Sequence, residues 1–148
     1  MERESKPQQL STKEMEQNLK GDFFPVNWDG FLDESIRDFF DELFEKSSMK
    51  KSDVIRRTNL SRTYAYQLMD GRRLGKRDYY FGIAIAMSLD LSTTQRMLAV
   101  THSGALHPLI KRDAAIIFAL NHKYGCDKTC DFLCELGLPP LDTGLGDE

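Results

Sequence analysis

Apolar residues return every three or four positions over most of this chain, and no stretch alternates convincingly with the two-residue period of a strand. The clearest case is Ile36, Phe39, Phe40, Leu43 and Phe44, an i, i+3, i+4, i+7, i+8 stripe with acidic residues opposite it. It predicts a first core helix over about Asp33–Lys46. Shorter patterns follow over Lys50–Arg57, with Val54 and Ile55 facing inward, and over Arg62–Met69, with Ala65 and Leu68 inward. Thr58-Asn59-Leu60 separates them as a turn, because Asn tolerates the left-handed backbone. Ser61 caps the later helix and Asp70-Gly71 stops it. A fourth helix is predicted from about Arg77 to Leu89. A fifth starts at the capping box Ser92-Thr-Thr-Gln95 and carries Met97, Leu98 and Val100.

What remains echoes what precedes it. Lys76-Arg77-Asp78 recurs as Lys111-Arg112-Asp113, and at the same spacing Ala84 matches Ala119, Ile85 matches Leu120, Met97 matches Phe132 and Leu98 matches Leu133. Each copy reads as a helical hairpin closing on Gly and then Pro-Leu: Gly104 with Pro108-Leu109, and Gly137 with Pro140-Leu141 after a three-residue deletion. Two copies are too few for a free-standing solenoid, so they are expected to pack on the amino-terminal helices.

Charge is distributed as unevenly as hydrophobicity. Lys50–Arg77 holds nine Lys/Arg against Asp53 and Asp70, a net of +7, in a chain whose overall net charge is −3. Residues 1–49 carry −6 and residues 78–148 carry −4. A basic island over two short helices and a tight turn is the footprint of a surface that meets phosphates. In Arg62–Met69 the inward Ala65 and Leu68 leave Arg62, Thr63, Tyr64 and Gln67 outward near the helix start. A helix laid in the major groove presents those positions to base edges. Arg suits guanine O6/N7 and Gln suits adenine N6/N7, while Thr63 and the Tyr64 ring suit a thymine methyl. Tyr66 is placed to bond a phosphate, with Ser61 beside it. Arg72, Arg73, Lys76 and Arg77 follow the helix and are expected to track phosphates on the other side.

From about Leu43 to Leu98, a little over a third of the protein, these residues resemble the Xre/Cro-repressor-like helix-turn-helix family. The resemblance lies in the short helix ending Thr58-Asn59-Leu60, then SRTYAYQLMDGRR, then the helix leading to AMSLDLSTTQRML. It implies a bacterial regulator of transcription that binds double-stranded DNA sequence-specifically, as a homodimer on a two-fold site. It also implies that Lys50 and Lys51 anchor the DNA backbone. Three positions depart from the family pattern. Ile55 stands where a small Ala is usual, Met69 where Glu is common, and Lys50 where a Ser, Thr or Asn cap is common, so Ser48 is expected to cap instead.

The expected fold is therefore all-α: a five-helix helix-turn-helix DNA-binding unit (31–103) extended by a C-terminal helical hairpin (104–141). Residues 1–30 are expected to be a mobile arm, in which the capping box Ser11-Thr-Lys-Glu14 can start a short helix ending near Gly21. Residues 142–148 are expected to be a disordered tail. Phe23, Phe24 and Trp28, or the C-terminal hairpin, are candidate dimer contacts.

Other chemistries find little here. No apolar run approaches the ~20 residues that span a bilayer, and the polar start is no secretory signal, so cytoplasmic residence is expected. There is no phosphate-cradling glycine loop, nucleophile elbow or HExxH pair, so no enzyme and no cofactor are expected. Cys126, Cys130 and Cys134, with His122 before them, recur every four residues. One helix face cannot close a tetrahedral zinc site alone, and Gly125 and Asp127 suggest a helix break after His122. Buried small hydrophobes are the expectation, not metal ligands. An alternative function keeps the fold but makes the protein a non-catalytic adaptor, binding a protein partner through its C-terminal hairpins.

Overall fold

A computed structural model describes residues 12–22 and 35–142, and every regular element among them is an α-helix. The expectations for the remaining arm residues, including Phe23, Phe24 and Trp28, and for 143–148 lie outside the described residues. No described helix is long and apolar enough to cross a membrane. The chain divides into two units, 1–33 and 34–148. The first contains α1, Thr12–Leu19, where the capping-box pattern places a short helix.

The second unit holds α2 (Ile36–Lys46), α3 (Lys51–Arg57), α4 (Arg62–Asp70), α5 (Arg77–Ala86), α6 (Leu91–Val100), α7 (Lys111–Asn121) and α8 (Cys126–Glu135). Short polar side chains set three of these seven starts. Ser35 accepts the amide of Asp38 at 3.1 Å, and Ser61 that of Tyr64 at 3.3 Å. The cap of α6 is Asp90, whose carboxylate accepts the Thr93 amide at 2.8 Å, not the expected Ser92. Hydrogen bonding from the Thr93 side chain, and then from its amide, holds the Asp90 carboxyl below the usual carboxylate range. Lys50 sits at the start of α3 with no side-chain cap, and Ser48 does not replace it. Instead Ser47 closes α2 through Phe44 and accepts the Met49 amide, turning the chain into α3.

The core gathers around α5, which buries Tyr79, Tyr80, Phe81, Ile83, Ala84, Ile85 and Ala86. α2 contributes Phe39 and Phe40, ring edge on ring face at 5.3 Å. Each large side chain removed completely from water contributes roughly 1.5–3 kcal/mol, so α5 is the element on which the others are assembled. The aromatic run Tyr79-Tyr80-Phe81 belongs to that core and offers no stacking platform.

The internal echo is present in the backbone, and it needs no deletion. α6 and α8 begin and end 35 residues apart, as do α5 and the last ten residues of α7. Ser88 and Lys123 both take positive φ (54° and 56°), and so do His102 and Gly137 (56° and 74°). Thr94 and Thr129 are both buried, each with its hydroxyl bonded to the carbonyl four residues back at 2.8 Å. Leu106 and Leu141 close the two copies as buried residues. The equivalent of Gly137 is thus His102, and the expected match with Gly104 is wrong by two positions.

The hairpins meet by exchange. α5 packs on α8 and α6 on α7, the pattern a two-fold rotation produces and simple stacking does not. Arg77 pairs with Asp113, and Arg112 grips Asp78 with two bonds of 2.8 and 2.7 Å. Each Arg-Asp dipeptide therefore answers the other across a pseudo-two-fold axis.

Candidate nucleic-acid interface

α4 is fixed along one side. Ala65, Leu68 and Met69 are fully buried, as is Val54 of α3, and Ile55 and Leu60 are nearly so. Met69 therefore occupies a core position, which accounts for an apolar residue where the resembled family carries Glu. Ile55 is likewise accommodated inside. The turn between α3 and α4 does not use a left-handed Asn59, contrary to expectation. The Thr58 side chain makes it instead, donating to the Ile55 carbonyl at 2.7 Å and accepting the Leu60 amide at 3.4 Å.

Two glycines position the far end. Gly71 takes φ 77°, ending α4, and a Cβ there would lie 3.3 Å from Cβ of Ile36. At Gly75 a Cβ would fall 2.7 Å from the Tyr79 ring and 2.8 Å from Leu68, and its amide donates to the Tyr80 hydroxyl at 3.2 Å. Burial pushes the Tyr80 phenol above its ordinary range. The loop after α4 is thereby folded down onto α5. Gly75 escaped the sequence reading; its signal was only a glycine between two basic pairs.

On the other side of α4, Arg62 and Thr63 are exposed and Gln67 is half-buried. Tyr66 lies half-buried with the Arg62 guanidinium 5.9 Å from its ring centre. Tyr64 is more enclosed than its expected base-reading role requires. Its ring meets Tyr79 edge-on at 5.5 Å, with the Arg73 guanidinium 5.3 Å above it. Arg73 also donates its amide to the Gln67 carbonyl at 3.2 Å, which ties the basic loop to the helix.

The cations expected to hold phosphates divide into groups. Lys50, Arg72, Arg73 and Lys76 are exposed, Arg72 alongside Asp70 at 2.6 Å and Lys76 alongside Asp142 at 3.0 Å. The Arg72 bond holds the Asp70 carboxyl below its ordinary range. Lys51 is half-buried, 3.1 Å from Asp41 and 5.8 Å from the Phe44 ring centre. The Ser61 oxygen is engaged as the helix cap. Arg77 departs from expectation: its guanidinium lies on the Phe81 ring at 5.0 Å and in the ion pair with Asp113, whose side chain is 5 % exposed. It holds the two hairpins together. Conversely Arg56 and Arg57, not singled out from the sequence, are exposed on the last turn of α3, Arg56 paired with Asp53. Membership of the same basic run was the signal for them.

The cysteine series behaves differently along its length. Cys126 is buried with its thiol toward the Gly82 carbonyl, Cys130 is half-buried and Cys134 is exposed, so only the first fits the buried-hydrophobe expectation. Burial pushes the Cys126 thiol up to about 11. α7 ends before His122 and α8 begins after Gly125, as the break signals indicated. The His122 ring stacks on Phe118 at 3.8 Å. Among the described residues no three His, Cys, Asp or Glu side chains converge as metal ligands.

Comparison of the chain with protein-family models, curated proteins and solved structures gave no match.

Proposed function

We propose that this chain is a sequence-specific duplex-DNA-binding regulator of transcription of the helix-turn-helix type, with α3 and α4 as the paired helices and α4 as the reading helix. The observation that carries the proposal is the two-sidedness of α4. Ala65, Leu68 and Met69 anchor it, while Arg62, Thr63 and Gln67 stand on its other side, with the exposed Arg72 and Arg73 directly after its last turn. Arg62 and Gln67 are the base readers, with Thr63 for a thymine methyl. Tyr64 serves chiefly to support Arg73. Lys50, Lys51, Ser61, Tyr66, Arg72, Arg73 and Lys76 face phosphates, joined by Arg56 and Arg57, and Arg77 is omitted. In this reading the protein is no enzyme, takes no cofactor or metal, resides in the cytoplasm and binds as a homodimer on half-sites about one helical turn apart.

Selection of bound sites from random duplexes tests the proposal. An enriched, palindromic site is expected, with affinity falling steeply with salt. Seven lysine and arginine contacts to phosphate give a log–log slope of about −6. Arg62→Ala with Gln67→Ala should remove site preference at about 1–3 kcal/mol per lost base contact. A double variant that keeps its preference overturns the assignment of α4.

One feature favours a second reading, the adaptor. Leu109 (87 % exposed), Ile110, Phe118 and Leu136 leave apolar surface on the C-terminal hairpin. Under that reading no duplex is selected at any salt, and Leu109→Ser with Phe118→Ser removes a protein partner.

A further inference from the structure

The last described segment, 138–142, is a strap tied to the starts of α5 and α7. Arg112 donates to the Pro139 carbonyl at 3.1 Å and the Pro140 carbonyl at 3.0 Å while holding Asp78. The Asp142 amide donates to the same Asp78 carboxylate at 2.9 Å, and Leu141 is buried beside the Thr58–Leu60 turn. The strap therefore ends next to the proposed DNA-binding helices.

The pseudo-two-fold separates what seats this strap from what it carries. In the other hairpin the equivalent of Asp142 is His107, and its amide donates to Asp113 at 2.9 Å, as Asp142's does to Asp78. The backbone seat is thus common to both copies and needs no acid. Only the strap's copy adds a carboxylate, and it lies 3.0 Å from the Lys76 ammonium. Lys76 stands at the start of α5, directly after the basic loop that follows α4. A carboxylate oxygen at that distance occupies a position a phosphate oxygen needs in order to pair with the same ammonium.

We propose that the strap is an intramolecular competitor for DNA, Asp142 holding Lys76 until a backbone phosphate displaces it. The proposal rests on the DNA-binding reading above and names a regulator of that site. Whatever holds the strap in its seat thereby lowers DNA affinity, and by linkage DNA loosens the strap in return.

The experiment measures affinity of the full chain for its selected duplex across a salt series, with Asp142→Asn, Asp131→Asn and Lys76→Gln, the last alone and with Asp142→Asn. Asp131 is an exposed α8 carboxylate and controls for the loss of one negative charge. An exposed pair of this kind corresponds to a gain of roughly two- to five-fold on its removal. Asp142→Asn should show that gain at low salt and lose it at high salt, Asp131→Asn should show much less, and Lys76→Gln should abolish it. Equal gains from both Asp variants, or a gain that survives Lys76→Gln, overturn the competitor role. Duplex binding by the unaltered chain with no change in Asp142→Asn also overturns it, and leaves the DNA-binding reading standing. Absence of duplex binding in every chain, Asp142→Asn included, removes both.

Discussion

The α5–α6 and α7–α8 hairpins share their left-handed turns, their buried threonine and their exchanged Arg-Asp pairs, yet one is enclosed and the other faces solvent. Position by position the contrast follows the neighbours. Ile83 is fully buried on α5 while its equivalent Phe118 on α7 is 42 % exposed. Fully buried Met97 corresponds to half-buried Phe132, and half-buried Leu91 to buried Cys126. α5 is covered by α3, α6 and α8, whereas α7 packs mainly on α6 and α8. The features that survive in both copies are those that make the hairpin itself. What changed is the side chain at positions where only one copy has a partner outside the repeat.

The strongest way to break this comparison is to truncate equivalent residues. Ile83→Ala opens a cavity in the core around α5 and should cost about 2–5 kcal/mol. Phe118→Ala, 35 positions later, should cost less than about 1 kcal/mol, since its ring is stacked on His122 and Phe132 at the surface. Urea denaturation of the two variants decides it. Equal losses would show that the outer hairpin carries as much of the fold as the inner one.

Next comes the exchange of ion pairs. Asp113→Ala leaves Arg77 without its carboxylate and the His107 amide without its acceptor. A buried pair broken on one side costs about 3–5 kcal/mol. Arg77 is 29 % exposed, so about 2 kcal/mol is expected here. Asp78→Ala should cost a similar amount. Because both pairs fix one junction, the double variant should lose less than the sum of the two. Strict additivity in denaturation midpoints would speak against a shared junction.

A smaller effect separates Cys126 from its counterpart Leu91. Its thiol is raised to about 11 from an ordinary 9.0, mainly by burial. As pH rises through this window the unfolded chain loses the proton first, so the folded state holds more protons. The stability this contributes is complete below pH 9 and is lost toward pH 11. Cys126→Leu, which installs the inner hairpin's residue, should flatten that decline by about 1–2 kcal/mol. Tyr80, also raised by burial, is common to both chains and subtracts out. An unchanged pH profile would place the thiol in contact with water.

Much of this fold was legible because it rests on a local period. The stripes on α2, α3 and α4 follow from residues that meet neighbours three or four positions away, and the Lys-Arg-Asp repeat shows as identical residues 35 positions apart. The two-fold between hairpins was not legible, since a stripe tells which face is apolar and not which face it meets. Turn chemistry misled at single positions. Asn59 was expected to be left-handed, whereas Ser88, His102 and Lys123 are, and of these only His is enriched in that region. Asp90 outcompeted Ser92 because two good caps stood two residues apart. Within the candidate site, Ala65 and Leu68 correctly gave the outward side of α4. Arg77 could not be assigned from the basic island, because its partner lies 36 residues on.

The finest test of the comparison lies in the two threonines. Thr94 and Thr129 each bond the carbonyl four residues back, that of the helix-cap residue, and each is completely buried. Valine fills the same space without the hydroxyl, leaving one carbonyl with fewer partners, and each substitution should cost about 0.5–1.5 kcal/mol. The caps differ, however: Asp90 also binds the Thr93 amide through its side chain, and Gly125 has no side chain to do so. α8 therefore depends more on its threonine, and Thr129→Val should sit at the upper end of that range and Thr94→Val at the lower. Thermal melts of the two variants resolve the difference, and the reverse order would mean that the surrounding core, and not the cap, sets what the hydroxyl contributes.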